Sequence, residues 1–378
     1  MSPLKVFLLA GEPSGDIHGA ALASAFIHQS PGCDLVGWGG DLMRQASVHI
    51  MRDLDKLAFM GFVEVVAHLP TILANFRIVK RQLKNNRPDI LVLIDYPGFN
   101  LRLARWAHAQ GIPVYYFISP TVWAWKPGRM KIIEQFVTKL YCILPFEKKF
   151  YRDHNITNVA YLGNPLIDKV NQYCSSHPKP LFSSEEYIAV LPGSRRQEIN
   201  LIFPVMAKAM KLTPGLKYKI AHSPSVEKEL LVMILEKEFP EWRDFVDIRT
   251  GNTYEVLRSA RAAIVTSGTA TLETGLFSIP QVVCYITGSM NYRIAKKLVN
   301  LDYISLINLI AGQEIVKELI QTDCTPEHLS AEMRQIINNS ERRKEIISGY
   351  QQVKNKLGES GVAERVVADI LREFSAVQ

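Results

Sequence analysis

Ala262-Ala263-Ile264-Val265-Thr266-Ser267-Gly268-Thr269-Ala270-Thr271-Leu272-Glu273-Thr274-Gly275-Leu276 reads as a strand, a turn and a helix in succession. The apolar, β-rich run at 262–265 enters a Ser-Gly-Thr turn and continues with helical patterning. A strand passing through a short turn into a helix is the unit from which parallel α/β sheets are built. It puts the first free N–H groups of the helix at the carboxyl end of the strand, where they and the helix dipole favour an anion. Ser267, Thr269 and Thr271 flank that point with hydroxyls, and Gly268 lets the backbone approach. Glu273 follows one turn later, in reach of hydroxyls on whatever carries the anion. Phosphate at the turn and ribose at the carboxylate together describe a nucleoside-diphosphate site. A helix simply capped by Ser267 or Thr269 accounts for the same residues without a ligand.

Working outward, the same alternation recurs along the chain. Val6–Ala10, Ile90–Ile94, Val114–Ile118 and Leu140–Leu144 are apolar runs of buried-strand type, each followed by a turn and a helical stretch. A second series follows at Tyr187–Leu191, Tyr218–Ala221, Phe245–Ile248, Ala262–Thr266 and Gln281–Tyr285. Between them, Asn171–Glu185 is polar, carries Pro178 and Pro180, and reads as a linker. The expected fold class is therefore α/β, with two Rossmann-like doubly wound parallel-sheet domains facing a cleft. The N-terminal domain is expected over 1–170 and the C-terminal nucleotide-binding domain over 186–345. A C-terminal helix, about 350–378, is expected to cross back and complete the first. Ligands in such sheets bind at the carboxyl ends of the strands.

Composition agrees with two folded domains. The chain has 378 residues, 47% of them hydrophobic and 21% charged. Its net charge of +7 and isoelectric point near 9.0 favour acidic partners: phosphates, anionic lipid surfaces or nucleic acid. The five cysteines are scattered and lack a Cys-x-x-Cys pair, which argues for a reducing compartment and against structural zinc. The first strand begins almost at the amino terminus, and no apolar run approaches the roughly 18 residues of a membrane span. A cytoplasmic protein that touches a membrane peripherally is expected.

Three more loops lie at strand ends. Gly11-Glu12-Pro13-Ser14-Gly15-Asp16 offers two glycines for close backbone approach and the polar groups of Glu12, Ser14 and Asp16. It is neither a dinucleotide fingerprint nor a nucleotide-triphosphate loop, so no NAD, FAD or ATP cofactor is expected. In Ile94-Asp95-Tyr96-Pro97-Gly98-Phe99-Asn100, an aspartate ends a buried strand, where an idle carboxylate is costly. Asp95 is the candidate base for an attacking hydroxyl, or else the cap of a helix starting near Asn100. In Leu191-Pro192-Gly193-Ser194-Arg195-Arg196, Arg195 is placed to fork onto phosphate oxygens.

These loops, in order, resemble a known family. Gly11-Glu12-x-Ser14-Gly15-Asp16, Met60-Gly61-x-x-Glu64-Val65, Ile94-Asp95-x-Pro97-x-Phe99-Asn100 and Ser119-Pro120-x-Val122-Trp123-Ala124-Trp125 match it. So do Leu144-Pro145-Phe146-Glu147, Leu191-Pro192-Gly193-Ser194-Arg195, Ser267-Gly268-Thr269-Ala270-x-Leu272-Glu273 and Tyr303-x-Ser305-Leu306-x-Asn308-Leu309. The chain resembles lipid-A-disaccharide synthases, inverting glycosyltransferases of the GT-B fold. The resemblance implies transfer of 2,3-diacylglucosamine from UDP-2,3-diacylglucosamine to the 6-hydroxyl of 2,3-diacylglucosamine 1-phosphate. The products are a β-1,6-linked disaccharide 1-phosphate and UDP, formed without metal or cofactor and with no nucleic-acid partner. It also brings Glu12 and Asn308 into the site without a defined role. Two positions depart from the family pattern: Gly98, where an acid is common, and Asn164, where a histidine is common.

Asp53-Leu54-Asp55 has the Asp-x-Asp form that holds metal in other glycosyltransferases, but no apolar strand leads into it and chance is the better reading. Residues 65–88 lack any acid. There Val65, Leu69, Ile72, Leu73, Phe76, Val79 and Leu83 recur at helical spacing beside Arg77, Lys80, Arg81, Lys84 and Arg87. Val66, Leu69, Leu73, Arg77, Lys80, Arg81 and Lys84 are the candidate contact with an anionic inner-membrane surface. The competing reading is an ordinary helix packing its apolar stripe on a sheet. Another GT-B enzyme of UDP-GlcNAc (a 2-epimerase or a different lipid-acceptor transferase) and a non-catalytic nucleotide-sugar or lipid binder are the alternatives in function.

Overall fold

The computed structural model describes residues 3–54, 69–121, 128–178, 186–288 and 302–377. The chain divides into two compact units, one of Met1–Pro165 with Glu359–Gln378, the other of Leu166–Gly358.

The first unit is built on seven strands: β1 (Lys5–Ala10), β2 (Asp34–Gly39), β3 (His49–Asp53), β4 (Ile90–Ile94), β5 (Val114–Phe117), β6 (Lys139–Cys142) and β7 (Val159–Tyr161). All run parallel in the order β3-β2-β1-β4-β5-β6-β7. Both faces are covered, which is why the central strands read as unbroken apolar runs. Val6, Leu8, Ala10, Val92 and Ile94 face one core, with Leu22 and Phe26 of the helix Pro13–Gln29. Phe7, Leu9, Leu91 and Leu93 face the other, with Val79 and Leu83 of the helix Leu69–Asn86.

The second unit repeats the plan with β8 (Tyr187–Leu191), β9 (Lys217–His222), β10 (Val246–Thr250), β11 (Ala262–Thr266), β12 (Gln281–Tyr285) and β13 (Glu318–Ile320), all parallel in the order β10-β9-β8-β11-β12-β13. Each sheet is therefore doubly wound about its first strand.

Sequence periodicity misses β2, β3, β7 and β13. β2 carries Gly37 and Gly39, and a side chain at Gly37 would lie 2.0 Å from the Leu8 carbonyl oxygen, so the glycine is there for strand contact. The other three are edge strands, short and only partly buried, with no apolar run to betray them.

Two expectations are corrected. Asn171–Ser176 is not linker but the end of the helix Pro165–Ser176, assigned to the second unit, because Tyr173 packs edge-on against Tyr254 with ring centroids 5.2 Å apart. Residues 350–357 stay with the second unit, where buried Tyr350 bonds the Ile279 carbonyl at 3.1 Å. Only the helix Val362–Val377 joins the first unit. Val362, Val366, Val367 and Ile370 enter its core, and Asp369 meets Lys139 at 2.9 Å and Tyr141 at 3.1 Å.

Candidate active site

In a doubly wound sheet the crevice for a ligand opens where the strand order reverses. In the first unit that point lies between the carboxyl ends of β1 and β4, the strands that deliver Gly11–Asp16 and Asp95. A Cβ on Gly11 would come within 2.4 Å of the Tyr96 ring, so the glycine lets the two loops close on each other. Glu12 is the N-cap of the helix Pro13–Gln29, yet its side chain makes no capping bond. Ser14 is exposed, while buried Gly15 seats the helix, its Cβ position 3.2 Å from that of Ala10. Asp16 is corrected from ligand contact to structural cap. Its carboxylate accepts from the N–H groups of Gly40, Leu42 and Met43 at 2.7, 3.1 and 3.1 Å, holding the helix Asp41–Gln45.

Asp95 and Tyr96 are consecutive non-glycine residues with φ of 45° and 47°. Each such conformation costs on the order of 1–3 kcal/mol and clusters at functional sites. Asp95 does not cap the following helix, which starts at Pro97 with Tyr96 as N-cap and no side-chain cap. Burial, then the nearby Glu12 charge, pushes the Asp95 carboxyl up to about 6, against a smaller lowering by the Tyr96 N–H. The loop thus keeps a carboxyl of raised proton affinity beside a second acid. A Cβ at Gly98 would meet open space, so a larger side chain would fit there. Asn164 is buried and donates to the Ile143 carbonyl at 2.8 Å.

The second unit's reversal lies between β8 and β11, which deliver Gly193–Arg195 and Ser267–Thr269. Gly193 has φ 105°, a conformation that suits glycine. Arg195 is the N-cap of the helix Arg196–Lys211. Its side chain is 79% exposed and donates to Glu198 at 2.9 Å. Gly268 is the N-cap of the helix Thr269–Leu276 and Thr269 its exposed first residue. A cavity of about 220 Å³ is lined by Arg195, Glu198, Thr266, Ser267, Tyr285 and Thr287. The Thr266 hydroxyl is buried there without a partner.

Two expected ligand contacts are corrected. Thr271 is fully buried, its hydroxyl donating back to the Gly268 carbonyl at 2.8 Å, so it shapes the helix's first turn rather than facing a ligand. Asn308 is also fully buried. Its amide donates to the Val316 carbonyl (2.8 Å) and Glu318 (2.9 Å) and accepts from the N–H groups of Ile315 (2.9 Å) and Val316 (3.1 Å). Glu318, which sequence reasoning missed, also takes bonds from the Ile304 and Ser305 N–H groups at 2.8 and 2.9 Å. The Ile304 carbonyl in turn accepts from the Ser267 hydroxyl at 3.2 Å. The Tyr303–Leu309 motif is thus a brace behind the anion turn.

Glu273 does not line the same cavity as Ser267. One turn further along the helix, it faces a larger space of about 780 Å³ with Lys169, Tyr173, Arg249, Asn252 and Tyr254. Tyr254 donates to Glu273 at 2.8 Å and the Lys169 ammonium lies 3.8 Å from the same oxygen. Burial, reinforced by the Glu273 charge, pushes the Tyr254 phenol far up, so it stays a donor. Neither Tyr254 nor Lys169 belongs to a motif, and only the fold brings them to Glu273.

On the helix Leu69–Asn86, Val79 and Leu83 are core and Ile72 and Phe76 pack beside them. That much of the stripe is ordinary sheet packing. Lys80 is half-buried, its ammonium 5.4 Å above the Phe76 ring and 5.6 Å above Trp106. Leu73 (51% exposed), Arg77, Arg81 and Lys84 share the outward face at helical spacing. Val66, the Leu69 side chain, Met60–Val65 and Val122–Trp125 lie outside the described residues, as does Asp55. Asp53 is paired with Arg44 at 2.6 Å. Among the described residues no group of three or more His, Cys, Asp or Glu gathers as a metal-ligand set, and no helix is long and apolar enough to cross a membrane.

A family model described as Lipid-A-disaccharide synthetase matches residues 6–369. The chain is 38% identical over 374 residues to the lipid-A-disaccharide synthase of Syntrophus aciditrophicus strain SB, covering 97% of this chain and 96% of that one. It is 36% identical to the Koribacter versatilis strain Ellin345 enzyme of the same name, covering 97% and 98%. Among solved structures, it resembles UDP-GlcNAc 2-epimerase from Neisseria meningitidis bound to UDP-GlcNAc (TM-score 0.66, 14% identity, 98% and 100% coverage). It also resembles CalG4, the calicheamicin glycosyltransferase (TM-score 0.61, 14% identity, complete coverage of both chains). At that identity the likeness is one of fold.

Proposed function

The chain belongs to the lipid-A-disaccharide synthase family, and on that premise we propose how its two switch points divide the reaction. It is a glycosyltransferase of lipid A disaccharide formation, acting on a UDP-sugar and a lipid acceptor. The donor we assign is UDP-2,3-diacylglucosamine and the acceptor 2,3-diacylglucosamine 1-phosphate. The acceptor's 6-hydroxyl oxygen bonds to the anomeric carbon, the bond from that carbon to the diphosphate breaks, and the hydroxyl proton passes to Asp95. The β-1,6-linked disaccharide 1-phosphate and UDP leave.

Asp95 is the observation that carries this reading. A base must be ionised at working pH yet hold a proton well enough to take one, and a carboxyl near 6 meets both demands. Glu12 sustains that value, and the Ser14–Gly15 turn lies at the same switch point for the acceptor. On the second unit, charge growing on the diphosphate is met by the N–H groups of Gly268 and Thr269, by the Thr266 hydroxyl and by Arg195. Ser267 holds the turn in place, its N–H donating to the Cys284 carbonyl at 2.9 Å and its hydroxyl to the Ile304 carbonyl. Arg195 gives up Glu198 cheaply, since such exposed pairs contribute about 0–1 kcal/mol. Glu273, steadied by Tyr254, takes the ribose hydroxyls. The outward face of Leu73, Arg77, Arg81 and Lys84 meets the anionic cytoplasmic surface of the inner membrane.

Mass spectrometry of the product from these two substrates, with UDP release followed in EDTA, tests the reading. Disaccharide 1-phosphate should form only with both substrates. UDP release without acceptor, or conversion of the donor to an epimer, would sink it. A requirement for added Mg²⁺ or Mn²⁺ would overturn the assignment of the leaving-group charge to protein groups.

A further inference from the structure

We propose that Asn100 and Tyr116 are positioning residues that aim the Asp95 carboxylate by gripping the main chain of Asp95 in its left-handed turn. The inference rests on Asp95 being the base. The Tyr116 hydroxyl donates to the Asp95 carbonyl at 2.5 Å and the Asn100 amide at 2.8 Å. Asn100 also donates to the Ile94 carbonyl at 3.2 Å, and the Asp95 N–H is held by the Phe117 carbonyl at 2.9 Å. Donors from two elements, β5 and the helix Pro97–His108, thus converge on one peptide group, and both grips are fully buried. With its N–H and carbonyl both tied, Asp95 keeps its unusual φ of 45°, and the direction of its Cβ follows. Asn100 itself is imperfectly housed, for its Oδ1 is buried with no partner. That unmade acceptor costs about 1–3 kcal/mol, so Asn100 is kept despite a stability penalty while its amide holds the Ile94 and Asp95 carbonyls. Burial pushes the Tyr116 phenol well up, so it remains a donor at every working pH.

The experiment measures UDP release by the full chain carrying Tyr116→Phe or Asn100→Ala, each with and without Asp95→Asn. Small misplacements of a reacting group are costly, so each variant alone should lose about 10- to 100-fold in kcat. Donor KM and UDP affinity should stay within about two-fold, since the nucleotide groups are untouched. In the Asp95→Asn background neither variant should lower kcat further, because the group they aim is gone. Additional loss in that background would overturn the proposal, as would near-wild-type kcat in Tyr116→Phe while Asp95→Asn is crippled. In that last case the base assignment survives and only the grip fails. Near-wild-type turnover by Asp95→Asn removes the base assignment and the inference with it. Should Asn100→Ala lose its fold by circular dichroism, the isosteric Tyr116→Phe decides alone.

Discussion

Replacing Asp95 by asparagine sets turnover against stability, and the structure dictates both signs. Burial and the neighbouring Glu12 move this carboxyl from 3.8 to about 6. Between those values the folded chain holds the proton and the unfolded chain has released it. Stability therefore falls as pH rises through that window and stays lowered above it. The interval, at roughly 1.4 kcal/mol per pH unit, corresponds to about 3 kcal/mol. Partial solvent contact of the carboxyl reduces the expected cost to about 1–3 kcal/mol. An asparagine has no charge to desolvate. Asp95→Asn should melt higher than wild type at pH 8, the advantage shrinking to nothing near pH 4. It should meanwhile lose on the order of 10²–10⁴-fold in turnover, the usual worth of a general base. Thermal melts across pH use the enzyme alone, so the acceptor's phosphate, which itself titrates near pH 6, does not enter. In wild type, kcat/KM should fall on acidification through about 6. Equal melting of the two proteins at pH 8, or turnover by the variant within a few-fold of wild type, would refute the reasoning.

Asn308→Ala should cost roughly 2–4 kcal/mol of stability by leaving buried partners unmade, with UDP affinity of the folded protein unchanged by calorimetry. A selective loss of UDP binding in a stable variant would return Asn308 to the ligand site. Glu273→Ala should weaken UDP binding by about 10- to 100-fold and raise donor KM, as removal of charge-assisted hydrogen bonds does. Unchanged affinity would make it a helix residue held by Tyr254 and nothing more. Neutralising Arg77, Arg81 and Lys84 to glutamine should weaken sedimentation with anionic vesicles by about 100-fold at low salt, each charge contributing roughly 1 kcal/mol. Salt should imitate that change by screening but should not imitate Leu73→Ser, whose apolar loss is unscreened. Equal sedimentation of all three proteins excludes this face as the contact.

Much of the fold is legible in the sequence because the central strands of a doubly wound sheet are buried on both faces. Burial on both sides leaves no polar alternation, so β1, β4, β8, β11 and β12 stand out as apolar runs, and the loops that follow them mark the switch points. That is why Asp95, Arg195 and the Ser267–Thr269 turn stand out from residue types and position alone, while Glu12 enters the site through the family resemblance. Edge strands, half exposed and three to five residues long, leave no such trace. Nor does a motif reveal which way its side chains turn. Asp16, Thr271 and Asn308 look like ligand contacts in one dimension, but their hydrogen bonds are spent inside the protein. Lys80 reads as one more cation of a basic stripe until Phe76 and Trp106 are seen beneath it. The partners that define the site, Tyr254 for Glu273, Glu318 behind the anion turn and Tyr116 on the Asp95 carbonyl, are joined through hydrogen bonds that span 10 to 37 residues of the chain. Hydrophobic patterning is a local property, set by which face of each element meets the core. A hydrogen bond between side chains of different elements is fixed only when packing brings those elements together, so tertiary structure alone decided those partnerships.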